Sequence, residues 1–383
     1  MKFIHTGDWH LGKTLRDWRL IDDQKHALEQ FVKLAEERRP DAIVVAGDVY
    51  DRAIPPLDAV EALDWILTEL TLRLRIPVVM IAGNHDSPVR LQCLSGLLNK
   101  VGLHVVGEVG EEPVGVSVTG SDGVEVVFWP LAYTGPEAAR IALNRDDILT
   151  HEAVLAAHLE SVRERRHANA RHVVVAHAFV TGALPSDSER PLTVGGSGEV
   201  SRSVFEGFDY VALGHLHRPQ QVGEVVRYAG SLLKYSFDEA NHDKSVSVVD
   251  LGADGSVEVE EVHLDVLHDL ARIRGSFDEV MTRPDAGAYA DIYVEAVLTD
   301  SAVVFDPMEK LRRVYPNIVW MRREGSFPEV ADQELVSVDD AEVRELFGAF
   351  FAEVTGESLS EAQQREVDAS LTEMDADARE VKA

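Results

Sequence analysis

Residues 76–86, IPVVMIAGNHD, join an apolar run to a glycine and three polar side chains. Short runs rich in β-branched residues and bounded by turn residues are typical of buried strands. Four further apolar runs are likewise followed by glycine, aspartate or histidine at or near their ends. They are MKFIHTGD (1–8), DAIVVAGD (41–48), HVVVAHA (172–178) and FDYVALGH (208–215). We expect their polar ends to meet beyond the carboxyl edge of one sheet.

Helical patterns over residues 20–38 and 57–75 separate the first three strands. Strands that alternate with helices predict a layered α/β fold. The segment KSVSVVDLGADGSVEVEEVHL (244–264) predicts a hairpin of two alternating strands around GADG. This hairpin closes a first predicted domain at residues 1–265.

Two smaller regions follow the first predicted domain. Residues 266–335 alternate three strands with two short helices, which predicts a small α/β domain. Residues 336–383 predict an acidic helical hairpin, with a capping box at Ser360 and Gln363. One face of the hairpin is apolar, and this face either packs on its own domain or enters a groove on a partner. The apolar residues are Val343, Leu346, Phe347, Phe350, Phe351 and Val354.

The composition indicates an acidic globular protein. The formal net charge is −30, although a chain that holds DNA by itself usually carries a basic footprint. A nucleic-acid substrate would therefore require a local basic patch or a basic partner, and otherwise the acidity serves solubility or a salty cytosol. The single cysteine excludes an internal disulfide, and neither a signal peptide nor a transmembrane run is evident. We expect a cytoplasmic protein without membrane contact.

The strand ends carry an unusual set of polar residues. Each cluster alone has an ordinary explanation, such as a turn, a helix cap or a histidine in the core. Five such clusters on successive strand ends are better explained by a common site. They comprise Asp8 and His10, Asp48 and Asp51, Asn84 with His85 and Asp86, His177, and His215 with His217.

These residue types predict a metal centre. Imidazole, carboxylate and amide oxygen without thiolate suit manganese, iron, zinc or magnesium. The ligands are too numerous for one ion, so we expect two divalent ions, with Asp48 as the candidate bridge. Asp8 and Asp48 alone would bring formal negative charge to the ions, and the resulting surplus of positive charge favours phosphoester hydrolysis.

The order Asp-x-His, Gly-Asp-x-x-Asp, Gly-Asn-His-Asp, His, Gly-His-x-His resembles the signature of calcineurin-like metallophosphoesterases. Further segments resemble the SbcD family of bacterial nuclease subunits. The resemblance implies a metallophosphoesterase β-sandwich with flanking helices, then a DNA-capping domain, then the helical hairpin. The segments are HTGDWHLGKTL (5–15), GDVYDRAIPP (47–56), GNHDSPVRL (83–91), VALGHLHRPQ (211–220), YAGSLLKYSFDEANHDKSV (228–246) and DPMEKLRRVYPNI (306–318).

The resemblance also implies roles for individual residues. One metal would be held by Asp8, His10, Asp48 and His217, and the other by Asp48, Asn84, His177 and His215. His85 would contact the phosphate and help to protonate the leaving oxygen, with Asp51 near it. Asp86 would fix the turn. The family usually uses Mn²⁺, although the residues alone accept iron or zinc equally well.

The remaining predicted contacts concern DNA and partners. Arg90 either meets a phosphate or faces solvent, and Arg312 and Arg313 belong either to a DNA-contacting cap or to an ordinary mixed surface. By resemblance the partner is SbcC, an SMC-like ATPase, whose coiled coil would receive Phe347, Phe350 and Phe351. A homodimer within an assembly of two SbcC and two SbcD chains is also implied. Its interface would involve Leu91, Leu94, Leu97 and Leu98, unless these pack in the core.

Three functions remain open on the sequence alone. The first is a Mn²⁺-dependent nuclease acting in DNA repair and recombination, as a 3′–5′ double-strand exonuclease and a single-strand or hairpin endonuclease gated by ATP through SbcC. The second is a phosphatase or phosphodiesterase that acts on small substrates without a partner. The third is a scaffold without catalysis, which the complete set of ligand positions argues against.

Overall fold

The computed structural model describes residues 1–108, 110, 112–186, 188–189, 198–300, 304–324, 351, 358–360, 362–365 and 367. The strands of these residues are, in chain order, β1 Lys2–Thr6, β2 Thr14–Leu15, β3 Trp18–Arg19, β4 Ala42–Val45, β5 Val78–Ile81, β6 Leu103–Val106, β7 Val116–Thr119, β8 Glu125–Leu131, β9 Arg171–His177, β10 Phe179–Val180, β11 Glu199–Val200, β12 Tyr210–Gly214, β13 Gln220–Val222, β14 Val226–Tyr228, β15 Val246–Leu251, β16 Val257–Val262, β17 Asp269–Gly275, β18 Ile292–Leu298 and β19 Ile318–Arg323.

The α-helices are α1 Ile21–Arg38, α2 Leu57–Thr68, α3 Pro88–Leu91, α4 Ser95–Leu98, α5 Pro136–Leu143, α6 His151–Glu164, α7 Phe277–Met281 and α8 Pro307–Arg312. The two predicted helices at 20–38 and 57–75 are confirmed, except that the second ends in the π-helical turn Glu69–Arg73. Among the described residues, no helix combines the length and the apolar character that a membrane span needs.

The first predicted region contains two six-stranded sheets. The first sheet has the order β16-β15-β1-β4-β5-β6, and the second has the order β13-β14-β12-β9-β8-β7. In the first sheet β1, β4, β5 and β6 are parallel, while β15 and β16 add an antiparallel edge that confirms the predicted hairpin. In the second sheet β8, β9, β12 and β14 are parallel.

The two sheets pack face to face around one apolar core. Alternate residues of β1 point to opposite faces of the first sheet. Phe3 therefore enters the core between the two sheets, and Ile4 enters a second core between the first sheet and its helices. The Phe3 ring lies 5.5 Å from the rings of both Phe128 and Tyr210, in edge-to-face geometry. Since these two residues belong to β8 and β12, Phe3 joins the sheets directly.

Helices cover the outer face of the first sheet. Ile4 shares its core cluster with Leu28 and Phe31 of α1 and with Ile66 of α2, all of them fully buried. The amphipathic pattern of α1 therefore serves to shield the parallel strands, which need cover on both faces. The result is a layered sandwich with flanking helices, as the resemblance to calcineurin-like metallophosphoesterases implies.

The four leucines of the predicted dimer interface lie in or next to two short helices after the GNHD motif. The chain forms α3 and α4 with a break at Leu94, whose φ of 63° is left-handed. Leu94 and Leu97 are 65% and 62% exposed, whereas Leu91 and Leu98 pack against the cores. The four leucines therefore divide between surface and interior.

The chain separates into two compact units. One comprises Met1–Arg272, Asp285–Glu295 and Arg312–Trp320, and the other comprises Ile273–Pro284, Ala296–Leu311 and the described part of Met321–Ala383. The strands β17, β18 and β19 form a three-stranded sheet in the order β17-β18-β19. Helix α7 begins with a capping box between Ser276 and Glu279. The predicted alternation of strands and short helices is confirmed here, while the boundaries at 265 and 335 stay predictions.

Most of the predicted helical hairpin lies outside the described residues, including Val343, Leu346, Phe347, Phe350 and Val354. Phe351 is helical and partly buried. The capping box at Ser360 is confirmed, because its main-chain N–H donates to Gln363 Oε1 at 2.9 Å and its hydroxyl accepts from the Gln363 N–H at 3.4 Å.

Candidate metal centre

The predicted polar clusters come together at the carboxyl ends of parallel strands, but not on one sheet. Three clusters follow strands β1, β4 and β5 of the first sheet, and the other two belong to β9 and β12 of the second. The expectation of a single sheet edge is therefore wrong. Because the sheets stack with these strand ends adjacent, each layer contributes one wall of the site.

The backbone is strained where the predicted ligands lie. Asp8, His10 and Asp48 have φ angles of 50°, 44° and 47°, and His215 has a φ of 105°. Non-glycine residues seldom adopt positive φ, at a typical cost of about 1–3 kcal/mol each. Such strain is concentrated at functional sites, where it serves to aim side chains.

Gly83 is required by a close approach rather than by its backbone angle. A Cβ atom at this position would lie 2.2 Å from Asp48 Oδ1 and 2.3 Å from the Asp48 nitrogen. The chain after β5 therefore packs against Asp48 with no room for a side chain. This contact holds the GNHD turn against the turn that carries Asp48.

We expect Gly83→Ala to displace Asp48, to lower the free energy of unfolding by about 1–3 kcal/mol and to weaken metal binding. Denaturant unfolding and the metal content of the purified protein would measure both effects. Gly96→Ala is the matched control, since a Cβ there meets nothing within 4 Å. Equal behaviour of the two variants would contradict this account of Gly83.

Four of the predicted ligands form a first group. His10 Nε2 lies 3.1 Å from His217 Nε2 and 3.6 Å from Asp48 Oδ2. Asp8, His10 and Asp48 also offer ligand atoms within 4.8 Å of one another. Both oxygens of Asp8 accept the His215 N–H, at 2.9 and 3.1 Å. Burial lowers the pKa of His10 to about 4, so its imidazole is neutral and suited to bind a metal.

The remaining predicted ligands form a second group with Asp48. His177 Nε2 lies 2.9 Å from Asn84 Oδ1 and 3.4 Å from Asp48 Oδ2. His215 Nδ1 lies 3.2 Å from the same Asn84 oxygen. Asp48, His177 and His215 offer ligand atoms within 4.8 Å of one another. Asp48 is thus common to both groups, as expected of a bridging carboxylate.

The second group attracts positive charge. His177 Nδ1 faces the Ala46 carbonyl at 2.9 Å and must donate to it, so Nε2 points at two oxygen acceptors. Such an arrangement needs a proton or a cation between the acceptors. Burial lowers the pKa of His177, but the charges of Asp48 and Asp8 outweigh this and raise it to about 9. The donor set therefore fits two divalent ions of the hard or borderline class.

His85 lies beside the two groups. Its main-chain N–H donates to Asp48 Oδ1 at 2.9 Å, and its Nε2 lies 3.9 Å from Asp48 Oδ2. Its Nδ1 lies 2.8 Å from the Asp51 carbonyl oxygen and must donate to it. The Asp51 carboxylate accepts from Lys13 Nζ at 2.8 Å and lies 3.5 Å from His10 Nδ1. Asp51 thus orients His85 through its main chain, while its carboxylate faces Lys13 and His10.

The same neighbourhood offers an alternative grouping. His10, Asp51 and His85 also place ligand atoms within 4.8 Å of one another. In that grouping His85 would be a metal ligand rather than a group that contacts the phosphate. The roles of His85 and Asp51 therefore stay predictions. A variant of His85 can distinguish a metal ligand from a group that contacts the phosphate.

Asp86 fastens the GNHD turn. Its carboxylate accepts the N–H groups of Gly83 at 2.9 Å, Val49 at 3.1 Å and Tyr50 at 2.8 Å. These bonds link the chain after β5 to the chain after β4. Burial, with the nearby Asp48 charge, raises the pKa of Asp86 to about 7 despite the three donors. The contacts agree with the predicted role of fixing the turn.

Sequence reasoning missed the groups that position His217. Glu239 Oε1 lies 3.1 Å from His217 Nδ1, and the Ser188 hydroxyl lies 2.9 Å from the same nitrogen. Glu239 also forms a buried ion pair with Lys244, whose Nζ donates to the His217 carbonyl at 2.7 Å. A carboxylate on Nδ1 fixes the tautomer that leaves Nε2 to bind a metal. Only the presence of Glu239 and Lys244 in the segment 228–246 could have suggested these two residues, and no sequence signal pointed to Ser188.

We expect Glu239→Gln to weaken metal binding by about 10–100-fold, because His217 would lose the charged partner that fixes its tautomer. Competition with a fluorescent metal chelator would measure the affinity, with the exposed Glu258→Gln as control. The single variant also leaves the buried Lys244 without its ion pair, which typically costs about 3–5 kcal/mol. The double variant Glu239→Gln, Lys244→Met separates the two effects. Unchanged affinity in this double variant would refute the positioning role.

The predicted basic contacts are on the surface. Arg90 lies in the exposed last turn of α3, and Arg312 and Arg313 are exposed at and just after the end of α8. Two other arginines of this region pair with acids, since Arg272 bonds Asp238 at 2.8 Å and Arg274 bonds Glu324. At least these two arginines therefore belong to an ordinary surface on which basic and acidic side chains are paired.

Comparisons with known proteins agree with the site geometry. Residues 1–219 match the calcineurin-like phosphoesterase family model, and residues 266–355 match the SbcD C-terminal model, described as type 5 capsule protein repressor C-terminal domain.

Two similar solved structures are TT1561 of Thermus thermophilus and the calcineurin-like phosphoesterase YfkN from Bacillus subtilis. The match to TT1561 has 16% sequence identity and a TM-score of 0.39, and it covers 68% of this chain and 98% of TT1561. The match to YfkN has 14% sequence identity and a TM-score of 0.38, and it covers 68% of this chain and 88% of the YfkN chain.

The family match spans more than half of the chain and contains every predicted metal ligand from Asp8 to His217. Metal-dependent phosphoester hydrolysis follows from this match. The chain therefore belongs to the calcineurin-like phosphoesterase family, as a member with an SbcD-type C-terminal domain.

Proposed function

We propose that the chain is the nuclease subunit of an SbcCD-type complex. It hydrolyses phosphodiester bonds of DNA with two Mn²⁺ ions, as a 3′–5′ double-strand exonuclease and a single-strand or hairpin endonuclease in repair and recombination. The observation that carries the proposal is the pairing of a phosphoesterase site with an SbcD-type C-terminal match on one chain. Many phosphoesterases share the first feature, so the second supplies the substrate class.

The residues of the site support hydrolysis in defined ways. Asp8, His10, Asp48 and His217 would hold one metal, and Asp48, Asn84, His177 and His215 the other. When bound, the two ions would polarise the phosphodiester and make a nucleophile available at neutral pH.

His85 is the candidate proton donor. Because Nδ1 is committed to the Asp51 carbonyl, a second proton on the imidazole would reside on Nε2, the nitrogen nearer Asp48. From there the ring would hydrogen-bond the phosphate and transfer a proton to the leaving oxygen. A general acid of this kind typically contributes about 10²- to 10⁴-fold in rate.

The charge of the chain supports dependence on a partner. With a net charge of −30, the protein is expected to bind DNA weakly by itself. The proposed partner is the SbcC ATPase, with Phe347, Phe350 and Phe351 as its docking residues and ATP controlling access to the site. Arg90, Arg312 and Arg313 remain the proposed DNA contacts.

A homodimer is part of the same proposal. Leu94 and Leu97 expose more than half of their surface close to the GNHD turn. Exposed leucines of this kind suit an interface between two copies of the chain.

The test combines the purified chain with SbcC, ATP and Mn²⁺ on hairpin and blunt duplex DNA. We expect cleavage that requires both Mn²⁺ and the His85 side chain and that SbcC with ATP stimulates. Turnover of bis-p-nitrophenyl phosphate or a cyclic nucleotide without stimulation by SbcC, together with intact DNA, would favour a phosphodiesterase of small substrates. Less than one metal ion per chain would favour a scaffold.

A further inference from the structure

A cavity of about 480 Å³ lies beside the candidate metal centre. This volume falls within the range of about 300–1,000 Å³ that is usual for small-molecule sites. The cavity is formed by the GNHD turn, the start of α3, the chain after β6, the chain after β8, and α5. Its lining residues include Asn84, Asp86, Glu108, Tyr133, Ala138 and Ile141.

The lining suits an uncharged, flat group. Tyr133, Ala138, Ile141 and Ala142 contribute an apolar wall, and none of the described lining residues is a lysine or an arginine. The charged residues among those described are the acids Asp86 and Glu108, so the lining would repel a phosphate and suits an uncharged group that can donate hydrogen bonds. Ile141 is 79% exposed, so its side chain is accessible to a ligand at the mouth of the cavity.

The cavity and the metal centre share a wall. Asn84 lines the cavity, while its side-chain oxygen lies 2.9 Å from His177 Nε2 and 3.2 Å from His215 Nδ1. The Tyr133 ring lies 6.3 Å from the His177 ring, in edge-to-face geometry. A group attached to a phosphate at the metal centre would therefore be within reach of the cavity.

Tyr133 is held in place on one side. Its ring stacks on His151 at 5.4 Å with an interplanar angle of 27°. A ring fixed in this way is preorganised, so a ligand that packs on it need not order it first. Any of the nucleobases can stack on such a ring, because every base has a flat π-face.

We propose that this cavity binds the nucleobase of the nucleotide next to the scissile phosphate. The inference rests on the proposed function and deepens it, because it states which part of the substrate lies beside the metals. A base in the cavity cannot remain paired in a duplex. The site would therefore act on a terminal or unpaired nucleotide, and Tyr133 and Ile141 would be binding residues.

Calorimetry with two phosphate ligands in the presence of Mn²⁺ tests the inference directly. We expect thymidine 5′-monophosphate to bind about 5- to 140-fold more tightly than methyl phosphate, since stacking of one base contributes about 1–3 kcal/mol and 1.4 kcal/mol is tenfold. Ile141→Asp and Tyr133→Ala should each reduce this preference. Leu149→Asp is the matched control, because Leu149 is 68% exposed and does not line the cavity.

Two outcomes would overturn the inference. Equal affinities of the wild-type chain for the two ligands would show that the base contributes nothing. A preference that persists in both cavity variants would place the base elsewhere. The failure of the proposed function is distinguishable, since it would appear as an absence of DNA cleavage with SbcC, whatever the nucleotide affinities.

Discussion

His85→Ala is expected to lower the rate of phosphodiester hydrolysis by about 10²- to 10⁴-fold, the usual contribution of a general acid. The variant should retain both metal ions, because the main-chain N–H that bonds Asp48 Oδ1 does not depend on the side chain. Steady-state kinetics on a DNA substrate and metal analysis of the purified protein would measure the two quantities. A large loss of rate with full metal content would identify a residue that acts on the substrate.

His167→Ala is a suitable control, because His167 is exposed and the substitution preserves its main-chain carbonyl, which contacts His172. It should leave both rate and metal content unchanged. Loss of metal in His85→Ala would instead support the grouping of His85 with His10 and Asp51. The assignment of His85 as the proton donor would then be withdrawn.

The parts of the fold that could be predicted depend on local pattern. The apolar runs at Val78–Ile81 and Arg171–His177 became strands, and the period of Ile21–Arg38 became a helix that covers the sheet. A short run that is buried on both faces leaves few alternatives. The division of the polar clusters between two sheets could not be predicted in this way, because strand order depends on contacts that are distant in sequence.

The contacts of the candidate metal centre could also be predicted only where they depend on local sequence. The predicted ligands could be placed near one another because each follows a strand, whereas the supporting contacts join distant segments. Glu239 reaches His217 across 22 positions, and Asp86 reaches Val49 across 37. Neither contact leaves a periodic signal. The collision that reserves position 83 for glycine likewise depends on how two turns pack in space.

These supporting contacts explain how a strained site is maintained. The positive φ angles of Asp8, His10 and Asp48 disfavour the native backbone locally. Asp86 offsets part of this cost through three bonds to main-chain N–H groups, two of them in the chain after Asp48. The two six-stranded sheets supply the remaining stability through their shared core. Rigid layers thus hold side chains whose own backbone would not favour their positions.

Asp48→Asn is expected to remove both metals and to lower the rate of hydrolysis by at least about 10³-fold. Asp48 is the residue that the two candidate ligand groups share, with Oδ2 lying 3.6 Å from His10 Nε2 and 3.4 Å from His177 Nε2. An amide keeps the shape but removes the negative charge that would offset two divalent ions. The ions contribute several kcal/mol of charge stabilisation in the transition state, and each 1.36 kcal/mol is tenfold in rate.

The exposed Asp17→Asn is the control for this substitution, since it makes the same chemical change away from the site. Metal analysis should find both ions in Asp17→Asn and in His85→Ala but neither in Asp48→Asn. One ion retained in Asp48→Asn would show that a metal site survives without Asp48, which would contradict its role as a bridge. Since Asp48 Oδ1 also accepts the His85 N–H, the amide must be oriented with its oxygen toward that donor, which places NH₂ toward the histidines and opposes cation binding further.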